Sequence, residues 1–207
     1  ALAAPQEEHH RAPAGEQPLT EERPFWPRSP YAASKAAQEL AALPYALTGR
    51  IPVIRARAFN LVGPGQPSGL LAADIARQIA EAESHQAPAV IRVGNLSPCR
   101  DFVDVRDAVR AYRLLLDAGA DGEVYNVCSG RPVPVQVCAE LLTAMAAVPV
   151  RVEEDAARVR GVEISSQAGS FDRLRRTTGW SPEIPLEASL RDQLDAWRAR
   201  IGQGVAA

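Results

Sequence analysis

The sequence predicts an α/β fold with parallel strand pairing. Short β-branched runs alternate with amphipathic segments of about ten residues or more, the pattern of strands joined through crossover helices. The composition is that of an ordinary globular chain of 207 residues, 46% hydrophobic and 23% charged with a net charge of −2. Such a chain is long enough to bury a sizeable core and too short for more than one or two domains.

Residues 1–30 read as a tail or loop. Six of the 17 prolines fall there among Gln, Glu and the pair His9-His10, and no apolar period appears. Ser29 then stands as an N-cap with Pro30 at the first helical position, which predicts a helix over 31–47. Gly49 closes it, and Pro44 is expected to kink it or end it early. A β-branched run over 52–57 reads as a strand that enters a loop over 60–66. The next helix covers 70–83, with Leu71, Ile75, Ile79 and Ala82 on one face. A strand over 89–93, a helix over 104–118 and a strand over 124–127 follow, and Gly130 turns the chain. Helices are predicted over 135–147 and 186–201, with a weaker strand over 150–152. No G-x-G-x-x-G turn, the usual opening of a dinucleotide-binding α/β unit, occurs in the chain.

Several function classes lose support at once. No run of about 18 apolar residues is present, so no membrane span is expected, and no signal peptide opens the sequence. The near-neutral charge without a basic stretch argues against nucleic acid as the partner. Three cysteines, Cys99, Cys128 and Cys138, cannot all pair and show no C-x-x-C spacing. A disulfide scaffold and a zinc site are therefore disfavoured, and a reducing cytoplasm is the expected location. His9, His10 and His85 lack the helical spacing of a metal site, so no metal is expected.

Of 23 basic residues 22 are arginine, and the one lysine is Lys35. It stands four residues after Tyr31 at the start of the predicted helix, which places both side chains on one face. A phenol of pKa about 10 is a poor acid or base at neutral pH. An ammonium a few ångströms away favours the phenolate, giving a proton donor and acceptor suited to carbonyl/alcohol chemistry. The single lysine is either what a genome biased toward arginine has left by chance, or a site that needs what only an ammonium offers, a compact charge with three donors on a flexible stem.

The phrase from Pro27 to Lys35, P-R-S-P-Y-A-A-S-K, resembles the catalytic helix of the extended short-chain dehydrogenases/reductases, which act on nucleotide sugars. R-A-F-N-L-V-G-P-G-Q, from Arg57 to Gln66, resembles the loop after that family's sixth strand. The segment V-G-N-L from Val93 followed by R-D-F-V-D-V-R-D from Arg100, taken as one motif, and G-E-V-Y-N-V-C-S-G from Gly122 are similar to one branch, the GDP-4-keto-6-deoxy-mannose reductases and the related GDP-mannose 4,6-dehydratases. Four motifs in order, from about Pro18 onward, are far more specific than any one of them.

The resemblance implies a Rossmann-like parallel sheet, of which this chain supplies the later strands, with a small C-terminal substrate-binding lobe. Residues 1–28 would form a Pro-rich N-terminal segment, and 29–207 the C-terminal part of the fold. The implied reaction is NAD(P)H-dependent reduction of the 4-keto group of a nucleotide-linked 6-deoxy sugar, GDP-4-keto-6-deoxy-mannose first; a 4,6-dehydratase, an epimerase or a non-catalytic nucleotide-sugar-binding homologue are the alternatives. Tyr31 would give the proton to the sugar oxygen, and Lys35 would hold the cofactor ribose and tune the phenol. Asn60 would bond the substrate near its diphosphate, and Gly63 and Gly65 would let backbone approach closely. Arg100 would grip diphosphate oxygens through its planar fork, with an ion pair to Asp101 or Asp104 as the plainer alternative. Arg160 and Glu163 would contact the nucleotide's ribose and phosphates, although Gly161 replaces the family's proline there. Asp104 and Asp107 read as cap and charge of a helix start. The family's glycine-rich turn and its Ser/Thr hydroxyl segment lie upstream of the matching region, and this chain offers neither. A homodimer formed through the helix carrying Tyr31 is the implied partner.

Overall fold

Ser29 and Pro30 start helix α1 (Pro30–Leu47) as the sequence predicts: the Ser29 hydroxyl accepts a hydrogen bond from the Ala32 N–H at 3.0 Å. A computed structural model describes residues 2–3, 18–27, 29–158 and 165–204 of the chain. Pro44 does not end α1. The helix runs on to Leu47 because Thr48 closes the last turn, its N–H reaching the Pro44 carbonyl at 3.0 Å and its hydroxyl the same oxygen at 2.8 Å. Gly49, at φ +64°, then takes the left-handed conformation that turns the chain away.

The remaining elements are strands β1 (Leu2–Ala3), β2 (Arg55–Ala58), β3 (Asn60–Val62), β4 (Ala89–Val93), β5 (Cys99–Asp104), β6 (Val124–Val127), β7 (Pro132–Pro134) and β8 (Val150–Glu154). Helices α2 (Leu71–Ser84), α3 (Val105–Ala118), α4 (Val135–Ala144), α5 (Asp172–Thr178) and α6 (Leu186–Gly202) connect or flank them. The chain folds as two compact units of interleaved segments. Ala1–Leu61, Asp101–Pro132 and Gln167–Glu183 make the first; Val62–Arg100, Val133–Ser166 and Ile184–Ala207 make the second.

In the first unit β1, β2 and β6 pair in parallel, with Leu2 opposite Arg55 and Ala56 opposite Tyr125. The N-terminal stretch expected to be tail or loop thus contributes a strand. It also contributes Leu19, which is fully buried with Phe59 and Cys128 and donates its N–H to the Ala168 carbonyl at 2.8 Å. The amphipathic helix α3 lays Ala108, Ala111 and Leu115 against Ala56, Tyr125, Val127, Leu174 and Trp180. Asp104 caps α3 by accepting from the Arg106 N–H at 2.7 Å and Asp107 places its charge in the first turn, as the sequence implies; Asp107 also accepts from the Glu183 N–H at 2.9 Å. The Trp180 indole N–H reaches the Asp107 carbonyl at 3.0 Å, so the α5 loop is fastened to the start of α3.

In the second unit β4 and β8 pair in parallel from Ala89–Val150 to Val93–Glu154. Ile75, Ile79, Ile91, Leu142, Leu190 and Leu194 form its buried interior. Arg198 of α6 grips Glu83 of α2 through two bonds of 2.7 Å and donates to the Met145 carbonyl at 2.8 Å. A third strand set has the order β3-β5-β7. Strand β5 escapes the sequence reading because Arg100, Asp101 and Asp104 break its apolar pattern, and β7 because two of its three residues are proline. Among the described residues no helix is long and apolar enough to cross a membrane.

Candidate functional site

Tyr31 sits in the first turn of α1, just past the Ser29 cap, and keeps about half its surface, 53%, open to solvent. Lys35 lies one turn on, its Nζ 5.7 Å from the centre of the Tyr31 ring. The same ammonium donates to the Gln38 side chain at 3.4 Å. Helical spacing alone brings phenol and ammonium to one face. The phenol is thus exposed with a half-buried ammonium close beside it, the arrangement an acid/base couple needs if it is to reach an external carbonyl.

The next candidate stands on β3, just beyond β2. Phe59 donates its N–H to the Val127 carbonyl at 3.0 Å, and Asn60 follows at the start of β3. The Asn60 amide donates to the Asp101 carbonyl at 3.1 Å, which fixes its orientation. Asp101 is itself a junction that the sequence reading passed over. Its carboxylate is fully buried and accepts from the Ser129 N–H at 2.7 Å, the Ser129 hydroxyl at 2.6 Å, the Gly130 N–H at 2.9 Å and the Gly169 N–H at 3.1 Å. Burial pushes its pKa up, and the four donors hold it back down in part. Gly169 is required where it stands, since a Cβ there would meet Phe59 Cζ at 2.5 Å and Cys128 Sγ at 2.7 Å.

A second buried polar group, also unanticipated, lies under α1. Glu39 pairs bidentately with Arg57, Nε to Oε2 at 2.9 Å and Nη2 to Oε1 at 2.8 Å, and Arg55 adds a third bond of 2.9 Å. Arg57 Nη1 donates to the Glu21 carbonyl at 3.1 Å, and its guanidinium lies 4.8 Å from the Phe25 ring centre. The signal was present: arginines two apart on a strand share one face, and one that is buried demands a carboxylate. The partner, 18 residues upstream, carries no mark of its own.

Other candidates belong to the second unit. Arg100 is half-buried and donates Nη1 to the neighbouring Cys99 carbonyl at 2.9 Å. Asp101 takes part in the junction just described, and Asp104 accepts from the Arg106 guanidinium at 2.8 Å. Gly63, at φ +143°, and Gly65, at φ +84°, shape a turn that α6 holds in place: the buried Gln193 amide donates to the Gly63 carbonyl at 3.2 Å and to Gln66 Oε1 at 2.6 Å. Arg160 and Glu163 lie outside the described residues, as do His9 and His10. Among the described residues no group of three or more His, Cys, Asp or Glu side chains is placed to hold a metal ion.

The model of one protein family, GDP-mannose 4,6 dehydratase, matches residues 13–193. The chain belongs to that family. A GDP-6-deoxy-D-mannose reductase of Pseudomonas aeruginosa is 42% identical to it over 184 residues, covering 89% of this chain and 60% of the reductase. The solved structure of RMD from Pseudomonas aeruginosa, complexed with NADPH, superimposes with a TM-score of 0.85 at 38% identity, over 96% of this chain and 65% of that one. A putative epimerase from Burkholderia cenocepacia superimposes with a TM-score of 0.82, also at 38% identity, over 95% of this chain and 62% of that one. The chain thus spans about 60% of the length of the relatives it matches. Membership of the GDP-mannose 4,6 dehydratase family and the Rossmann-like parallel α/β architecture bear out the resemblance carried by the four motifs.

Proposed function

We propose that this protein reduces the 4-keto group of a nucleotide-linked 6-deoxy sugar with NAD(P)H, and that GDP-4-keto-6-deoxy-mannose is the substrate to test first. The observation that carries the reading is the exposed Tyr31 phenol, with the chain's one lysine held 5.7 Å from its ring on a capped helix. The 42% identity to a GDP-6-deoxy-D-mannose reductase supports the choice of substrate.

A nicotinamide dinucleotide, when bound, supplies the hydride. Phenol and ammonium donors on one helix face fit the hydroxyls of its ribose, so Tyr31 and Lys35 are the residues that would hold it. Tyr31 delivers its proton to the sugar oxygen as that oxygen gains negative charge, and the Lys35 ammonium stabilises the phenolate left behind. Asn60 orients the substrate near its diphosphate. Arg100 offers a planar fork to the diphosphate oxygens, and the nucleotide's ribose and phosphates are the groups we propose for Arg160 and Glu163. The exposed Leu40 and Leu47, seven residues apart on α1, give that helix an apolar stripe suited to pairing with a second copy.

The test is Tyr31→Phe. Turnover of the keto-sugar should fall by about 10²–10⁴-fold, the usual worth of a positioned acid. GDP binding, measured by calorimetry, should stay within about twofold because the role proposed for the phenol is at the sugar oxygen. Unchanged turnover would remove the proton-transfer role. Product analysis separates the alternatives: a 4,6-dehydrated product or an epimer identifies those activities, and sugar-nucleotide binding without turnover identifies a binding protein.

A further inference from the structure

The face that α1 buries is unusually smooth. Its buried residues are Ala32, Ala36, Glu39 and Ala42, three methyl groups and one long side chain. Methyl groups let a helix lie close to a sheet, yet they offer little resistance to sliding or to rotation about its own axis, because nothing interdigitates. Glu39 is the exception. It is only 2% exposed and receives three charge-assisted bonds from β2, two of them from the planar fork of Arg57, itself 4% exposed. Such a fork resists rotation as well as separation. A buried ion pair is weak evidence for stability, since apolar residues of the same volume often do as well.

We infer that Arg57 and Glu39 are a positioning pair: they set the rotation of α1 against β2, and with it the aim of Tyr31 and Lys35. Arg57 is well placed for this task. It touches α1 through Glu39, the segment leading into α1 through the Glu21 carbonyl and the Phe25 ring, and it precedes Asn60 by three residues on the same strand run. Lys35 is one helical turn from Glu39 and Tyr31 is two. At about 6 Å from the helix axis a rotation of roughly 10° moves a side chain by about 1 Å. A displacement of about 1 Å at a reacting group can cost on the order of 10²-fold in rate. Neither residue touches the reacting atoms; both act through Tyr31 and Lys35.

The inference rests on the role proposed above for Tyr31, and the experiment keeps the two separable. Arg57→Lys preserves the charge and removes the fork. Glu39→Leu combined with Arg57→Met removes both charges of the pair and keeps its volume, while Arg55, the more exposed of the two arginines, keeps its bond to the Gly122 carbonyl at 2.8 Å. Each is made in the full chain and compared with the unmodified protein for circular dichroism, kcat, KM and amide hydrogen exchange over residues 33–38. Either folded variant should lose about 10–100-fold in kcat while KM for the nucleotide sugar stays within about threefold. Exchange over 33–38 should rise about tenfold, with α3 unchanged. A kcat within twofold of the unmodified protein in a folded variant overturns the inference, as does a loss confined to KM. If Arg57→Lys does not fold, the double variant decides. If the unmodified protein shows no reduction at all, the reading of Tyr31 falls by itself; the exchange rates still decide the pair, unchanged exchange counting against it.

Discussion

Gly169→Ala should be among the most damaging single-methyl additions in the first unit, and the structure fixes why. The new Cβ would stand 2.5 Å from Phe59 Cζ and 2.7 Å from Cys128 Sγ. Carbon contacts are comfortable at about 3.5–4.0 Å, so an ångström or more must be found. Phe59 and Cys128 cannot give it, being fully buried with Leu19 beside them. Nor can the backbone retreat freely, because the Gly169 N–H is bonded to Asp101 at 3.1 Å and the neighbouring Ser170 N–H to the Leu19 carbonyl at 2.9 Å. Overpacking a dense core costs about 1–3 kcal/mol, and this clash lies at the upper end. For a chain of this size each kcal/mol lowers Tm by about 2–4 °C, so a fall of about 6–12 °C is expected in a thermal melt followed by circular dichroism. Phe59→Leu alone should also destabilise, by about 1–2 kcal/mol, through the space it leaves. The double variant should recover at least about 1 kcal/mol relative to the sum of the two, since the added methyl fills that space. A Tm for Gly169→Ala within 2 °C of the unmodified chain, or strict additivity in the double variant, would refute the close-packing argument.

Glu83→Gln, followed by urea unfolding, should cost about 1–2 kcal/mol at pH 7, the worth of charge-assisted bonds after allowance for the water that still reaches Arg198. Arg198 holds the Glu83 carboxyl below its ordinary value, so the native state binds fewer protons there than the unfolded chain. The advantage of the unmodified protein over this variant should therefore be complete above about pH 4.5 and fade as pH falls through the lowered native value; an advantage that persists undiminished to strong acid would exclude this origin. Ser29→Ala removes the cap of α1 and should cost about 1 kcal/mol in the same assay, whereas Ser29→Asp should retain most of it.

The elements legible in the sequence were those whose cause is local. Ser29 and Asp104 cap their helices through bonds spanning two or three residues, and the strands at Ala89–Val93 and Val124–Val127 stand where β-branched runs put them. Tyr31 and Lys35 are legible for the same reason, four residues being one helical turn. Whatever depends on distant partners was not. The seven residues of α5 are too few to show an apolar period, and that helix is held by Trp180 and by Leu174 in a core assembled from remote segments. Leu19 lies in a stretch whose prolines suggest loop, yet the space beside Phe59 buries it. Asp101 looks like any acid after an arginine until Ser129, Gly130 and Gly169 are folded around it. Pro44 is a breaker by local rules and is tolerated because Thr48 uses its carbonyl twice.

The polypeptide passes between its two units five times, after Leu61, Arg100, Pro132, Ser166 and Glu183. No single scission can release either one intact, so neither behaves as a cassette that recombination could transplant into another gene in one piece. Either unit in such a molecule has to be remodelled residue by residue, rather than acquired by exchanging a whole module.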